Sequence, residues 1–160
     1  GVRLVGSEMC IRDRACQLAP SFAFVTHNAN MQRHVAELAR RYGLTDRFVP
    51  GGNLGLTYED FPKLYADPAA YLDRFNVVAR QTIARGAAML MVAGNPFNMF
   101  LIDEGVRDVD GVPVLDCCTA AIKTAELMVD LQALGLRRSA KGLFEAPIAD
   151  GKDAIRDLYR

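Results

Sequence analysis

The chain has 160 residues, 51% of them hydrophobic and 24% charged, with 19 basic and 19 acidic side chains in balance. This suits one globular domain with enough apolar material for a real core, and zero net charge excludes a bulk electrostatic attraction to nucleic acid or an anionic membrane. The longest apolar run, Ala87 to Ala93, is far too short for a bilayer. The four cysteines, two of them adjacent, have neither disulfide-framework nor Cys-x-x-Cys zinc spacing, so a reducing cytoplasm and no metal are expected.

Residues 1–14 fit nothing downstream. Glu8-Met9-Cys10-Ile11-Arg12-Asp13 resembles the translation of a sequencing-library adapter, and the segment is expected to be non-native, with a short natural extension as the bland alternative. Ser21 to Val25 then reads as a buried strand. Thr26-His27-Asn28-Ala29-Asn30 follows as a polar turn able to cap a helix, whose apolar stripe is Met31, Val35, Leu38, Ala39 and Tyr42 and whose end is Gly43. Arg47 to Val49 is a candidate brief strand. Pro50 to Gly55 is turn material, lacking the Lys-Ser/Thr or Gly-x-Gly-x-x-Gly of a phosphate loop.

Asp67-Pro68 starts a helix that buries Leu72, Phe75, Ala79 and Ile83 and closes at Gly86. Ala88 to Ala93 is the clearest buried strand, Gly94 to Asn98 breaks it, and a short helix is expected over 99–106. Val112-Pro113-Val114-Leu115 is a last core strand, with Pro113 tolerated near its start. Asp116 can cap a helix that turns Ala121, Ile122, Ala125, Met128 and Val129 inward and ends at Gly135. The domain is expected to run from 15 to 145, and a tail over 146–160 carries at most a short helix near Lys152 to Tyr159. Alternating strands and helices predict an α/β fold, a parallel sheet with helices on both faces.

In such sheets ligands bind beyond the carboxyl ends of the strands, where helix starts offer backbone N–H groups to a carboxylate. Three loops qualify, Thr26–Asn30, Gly94–Asn98 and Asp116–Thr119. Thr26, Asn28, Asn95, Asn98, Cys118 and Thr119 are candidate ligand-binding residues there, and Cys117 and His27 candidate catalytic ones. Each has a plainer reading. A cysteine at a helix start can gain a lowered pKa, yet it is also a common small core residue, and one of two neighbours must point inward. A loop histidine can exchange protons at neutral pH or simply brace a turn. Asparagine cannot titrate, so Asn95 and Asn98 bind, orient or turn.

Several strings taken in order resemble the aspartate/glutamate/hydantoin racemase superfamily, its hydantoin racemase branch above all, over roughly residues 15 to 145. They are Ser21-Phe22-Ala23-Phe24-Val25-Thr26, Ala39-Arg40-Arg41-Tyr42-Gly43-Leu44, Gly86 to Val92, Gly111 to Asp116, the run from Thr119 to Leu127, and Leu134 to Ser139. The resemblance implies a flavodoxin-like half of a two-domain fold enclosing a cleft, no cofactor, and two cysteines acting on opposite faces of the substrate Cα. It implies a small carboxylate or cyclic amide as partner, matches Thr26 to a substrate-binding threonine, and is compatible with a homo-oligomer. Two departures stand out. The half that would carry the first cysteine is absent, so a truncated, inactive fragment is expected. The turn that would carry the second reads Ala93-Gly94-Asn95-Pro96, with Asn95 in the cysteine's place and Cys117 one loop away as a candidate substitute. A related lyase or cis–trans isomerase, or a small-acid binder without turnover, are the competing readings.

Overall fold

A computed structural model describes residues 5–136, and side chains from residue 11. The chain divides into a body reaching Thr124 and a second part from Ala125. The expected tail over 146–160, with its short helix, lies outside the described residues, as does the end of the expected domain.

The first element is a helix, α1 (Val5–Leu18), so part of the segment set apart in the sequence is helical. Strand β1 (Ala23–Thr26) and helix α2 (Ala29–Arg41) follow, the latter capped by the Asn28 side chain, which accepts from Met31 N at 2.9 Å. Helix α3 (Pro68–Ile83) begins at the expected Asp67-Pro68 pair and buries Phe75, Ala79 and Thr82. Strand β2 (Leu90–Ala93) leads into helix α4 (Asn95–Asp103). This helix starts four residues before the expected 99: Pro96 sits in its first turn, where a missing N–H costs nothing, and starts the helix instead of delaying it. Strands β3 (Asp108–Val109) and β4 (Val112–Leu115) form a hairpin, and helix α5 (Cys117–Ala133) closes the described chain.

The sheet order is β1-β2-β4-β3. The first three strands are parallel, and β3 adds an antiparallel edge that the sequence reading did not contain. Its turn is Asp110-Gly111, both residues at positive φ (51° and 81°), a combination that suits a two-residue hairpin. On the other side of β1 the segment around Phe48 and Asn53 bridges to Phe22 and Thr26, so the expected strand at 47–49 survives as isolated pairing. Between the two bridges the loop presses on β1: a Cβ at Gly51 would stand 1.9 Å from the Phe24 carbonyl oxygen. Glycine is required there by contact, not by turn conformation.

The period of two along β1 and β2 divides the core. Ala23, Val25, Leu90 and Val92 join Phe75, Phe97, Phe100 and Leu101 of α3 and α4. Phe22, Phe24, Met89 and Met91 join Ala15 of α1, Val35 of α2 and Cys117 of α5. Helices therefore cover both faces, as expected. The inward face expected for α5 is corrected: Ile122 is 60%, Met128 49% and Val129 67% exposed, and Cys117 is the helix's one buried residue among those described. Among the described residues no helix is long and apolar enough to cross a membrane.

Candidate active site

The register Leu90↔Val114 and Met91↔Leu115 sets the ends of β2 and β4 side by side. The turns after them are tied by Asn98, which is 3% exposed. Its Oδ1 accepts from Cys117 N at 3.2 Å, and its Nδ2 donates to Asp116 Oδ1 at 3.3 Å. Asp116 also accepts from Thr119 N at 3.0 Å, the cap expected from the sequence. Burial opposes the Asp116 charge, but hydrogen bonds from Thr119, Asn98 and the Cys118 amide outweigh it and hold the carboxyl below its ordinary range. The α5 amides that the sequence reading offered to a carboxylate are thus already engaged by the protein's own Asn98 and Asp116. At α2, Asn28 plays the same part, whereas α4 starts at Gly94 without a side-chain cap.

A pocket of about 320 Å³ opens beside these turns. Its walls are Ile11 and Arg12 of α1, Phe24 of β1, Met31 and Val35 of α2, the β2 end from Val92 to Asn95, and Cys117, Cys118 and Ala121 of α5. Of the eight candidate residues, this brings together Asn95, Cys117 and Cys118. The other five lie outside the lining, and at least four have polar atoms engaged within the scaffold. Thr26 is fully buried and donates to Asn28 O at 3.1 Å; Asn28, Asn98 and Thr119 serve as described. His27 is buried among Tyr58 and Phe61, ring centroids 5.8 and 5.7 Å away, with Nδ1 3.3 Å from Ala93 O, where it braces β1 against β2.

The two cysteines differ. Cys117 is 5% exposed, with Sγ 3.5 Å from Leu115 O. Burial pushes its thiol up to about 12, so the lowered pKa considered for a helix-start cysteine is reversed here. Cys118 is half-buried, its Sγ 4.0 Å from Asn95 Oδ1, and its pKa is raised by partial burial and by Asp116. Sequence reasoning missed Arg12, whose guanidinium is 1% exposed and lies 4.9 Å from the Phe24 ring centroid and 5.7 Å from that of Tyr42. Among the described lining residues it is the one with a charged side chain. No signal pointed to it, because its segment had been set aside. Among the described residues no cluster of three or more His, Cys, Asp or Glu could hold a metal.

No family model matches the chain. A hydantoin racemase from Paenarthrobacter aurescens is 28% identical over 132 residues, which are 81% of this chain and 52% of that protein. The chain therefore spans about half the length of that curated relative. An allantoin racemase from Pseudomonas fluorescens superposes with a TM-score of 0.71 at 23% identity, over 89% of this chain and 57% of that one. Another, from Klebsiella pneumoniae, gives 0.67 at 18% identity, over 89% and 55%. These two likenesses establish the fold. The chain is thus similar in sequence to a hydantoin racemase and in fold to two allantoin racemases.

Proposed function

We propose that the chain is the pocket-bearing part of a racemase-like isomerase that handles a small amino-acid-derived carboxylate or cyclic amide by cofactor-independent proton transfer. The observation that supports this reading is the pocket at the ends of β2 and β4, whose described lining brings two thiols and the Asn95 amide together. A carbon acid flanked by a carbonyl needs a group to take its proton and a positive or hydrogen-bonding environment for the resulting oxyanion. Inversion further needs a second group on the opposite face. The described lining supplies its thiols from one helix start, so the chain alone is expected not to racemise.

The binder reading keeps one specific observation in its favour: Asn95, where the resemblance expects a cysteine, cannot carry a proton. Lyase or cis–trans isomerase chemistry needs only one thiol and fits the same pocket. Titrating the isotope-labelled chain with a 5-substituted hydantoin and with an N-carbamoyl amino acid tests the pocket itself. Shifts of the Val92–Asn95 and Cys117–Ala121 amides are expected, and a spectrum unchanged at millimolar ligand would refute the reading.

A further inference from the structure

We propose that Cys118, not Cys117, is the proton-transferring thiol of this pocket, working on one face of a carbon acid so that the chain exchanges its hydrogen with solvent without inverting the centre. This rests on the function proposed above.

Consecutive helical residues point about 100° apart, so two adjacent cysteines at a helix start cannot share one environment. Cys117 is turned into the core between the sheet and α1, and its Sγ is directed at the Leu115 carbonyl. Cys118 is the half-buried member of the pair and faces the turn after β2, with Asn95 Oδ1 4.0 Å from its Sγ. Asn95 Oδ1 accepts from the Cys118 thiol and Asn98 favours its anion, while the charge of Asp116 opposes that anion.

The step balances without a co-reactant. Cys118 thiolate takes the hydrogen as a proton; the C–H bond breaks, an S–H bond forms, and the electron pair moves into the adjoining carbonyl as an enolate. Return breaks S–H and re-forms C–H on the face it left. In D2O the thiol equilibrates with solvent between the two events, so deuterium enters with retention. Because burial and Asp116 disfavour the thiolate, exchange rises with pH, roughly tenfold per unit below the thiol pKa.

The test uses the full chain with enantiopure 5-isopropylhydantoin in D2O, reading loss of the C5 hydrogen by proton NMR and enantiomer ratio by chiral chromatography, both against a protein-free control. Exchange above the control with unchanged enantiomer ratio is expected. Cys118→Ser and Cys118→Ala should each lower it at least tenfold while amide shifts on titration persist, and Cys16→Ser should leave it unchanged. Exchange that survives both Cys118 variants overturns the proposal, as does exchange with inversion. Ligand-induced shifts with no exchange overturn it while leaving the pocket reading intact, and absence of both shifts and exchange overturns the two together.

Discussion

Asn98 joins two turns through one buried amide, and its removal has a calculable cost. Asn98→Ala strips the acceptor from Cys117 N and a donor from Asp116, bonds of 3.2 and 3.3 Å. An orphaned buried N–H costs about 1–3 kcal/mol, and the lost bond to a carboxylate adds about 1 kcal/mol or more. The expected loss is about 3 kcal/mol, a fall in urea midpoint of about 2 M at an m-value near 1.5 kcal/mol/M. Asn98→Asp separates the electrostatic part from the packing part. It sets a second carboxylate about 3.3 Å from Asp116, where two charges repel by about 5 kcal/mol at an effective dielectric of 20, until one of them protonates. The introduced group then has a folded pKa above its unfolded value, so its penalty is greatest at neutral pH and disappears as pH falls through that raised value. Urea unfolding of parent and both variants at pH 7 and pH 4.5 reads this directly. An Asn98→Ala loss under about 0.5 kcal/mol, or an Asn98→Asp deficit identical at both pH values, would refute the reasoning.

Three further outcomes follow from the same geometry. Gly51→Ala drives a Cβ to within 1.9 Å of the Phe24 carbonyl oxygen and should cost more than about 3 kcal/mol in urea unfolding, whereas Gly43→Ala, at φ 69° with nothing within 4 Å, should cost about 1–2 kcal/mol. Asp116→Ala should cost about 1 kcal/mol at pH 7 as a lost cap. Because the folded Asp116 pKa lies below its ordinary 3.8, that difference is fully present above the unfolded pKa and narrows as pH drops through the folded one, which an acid titration of both proteins will show. Iodoacetamide at pH 8 followed by peptide mapping should label Cys118 in the native chain and leave Cys117 unlabelled until urea is added. A thiol held near 12 and 5% exposed presents almost no thiolate, so prompt labelling of Cys117 would contradict its placement.

The elements that were legible in the sequence are those whose signals are local. Asp67-Pro68 starts α3, Asn28 caps α2, Asp116 caps α5, and the runs at Ala23–Thr26 and Leu90–Ala93 are buried strands. Strand β3 carried a local signal too, in the Asp110-Gly111 turn to β4, but its two residues are too few for periodicity to reveal. Pro96 was ambiguous, because the same ring ends a strand and starts a helix. The candidate site was legible as a set of strand-end loops. Which side chains face the pocket was not, because Thr26, Asn28, Asn98 and Thr119 engage neighbours that only the folded chain provides. The burial that separates Cys117 from Cys118 likewise depends on α1 and the sheet.

Helix α1 gives the pocket a property that none of its strand-end residues has. Ile11 and Arg12 wall the chamber on that side, and Arg12 is the one charged side chain among its described lining residues. The rest of the described lining is uncharged: aliphatic, aromatic, thioether, thiol and amide. Removing Ile11 and Arg12 would open that wall onto a cleft whose described lining offers two thiols and the Asn95 amide.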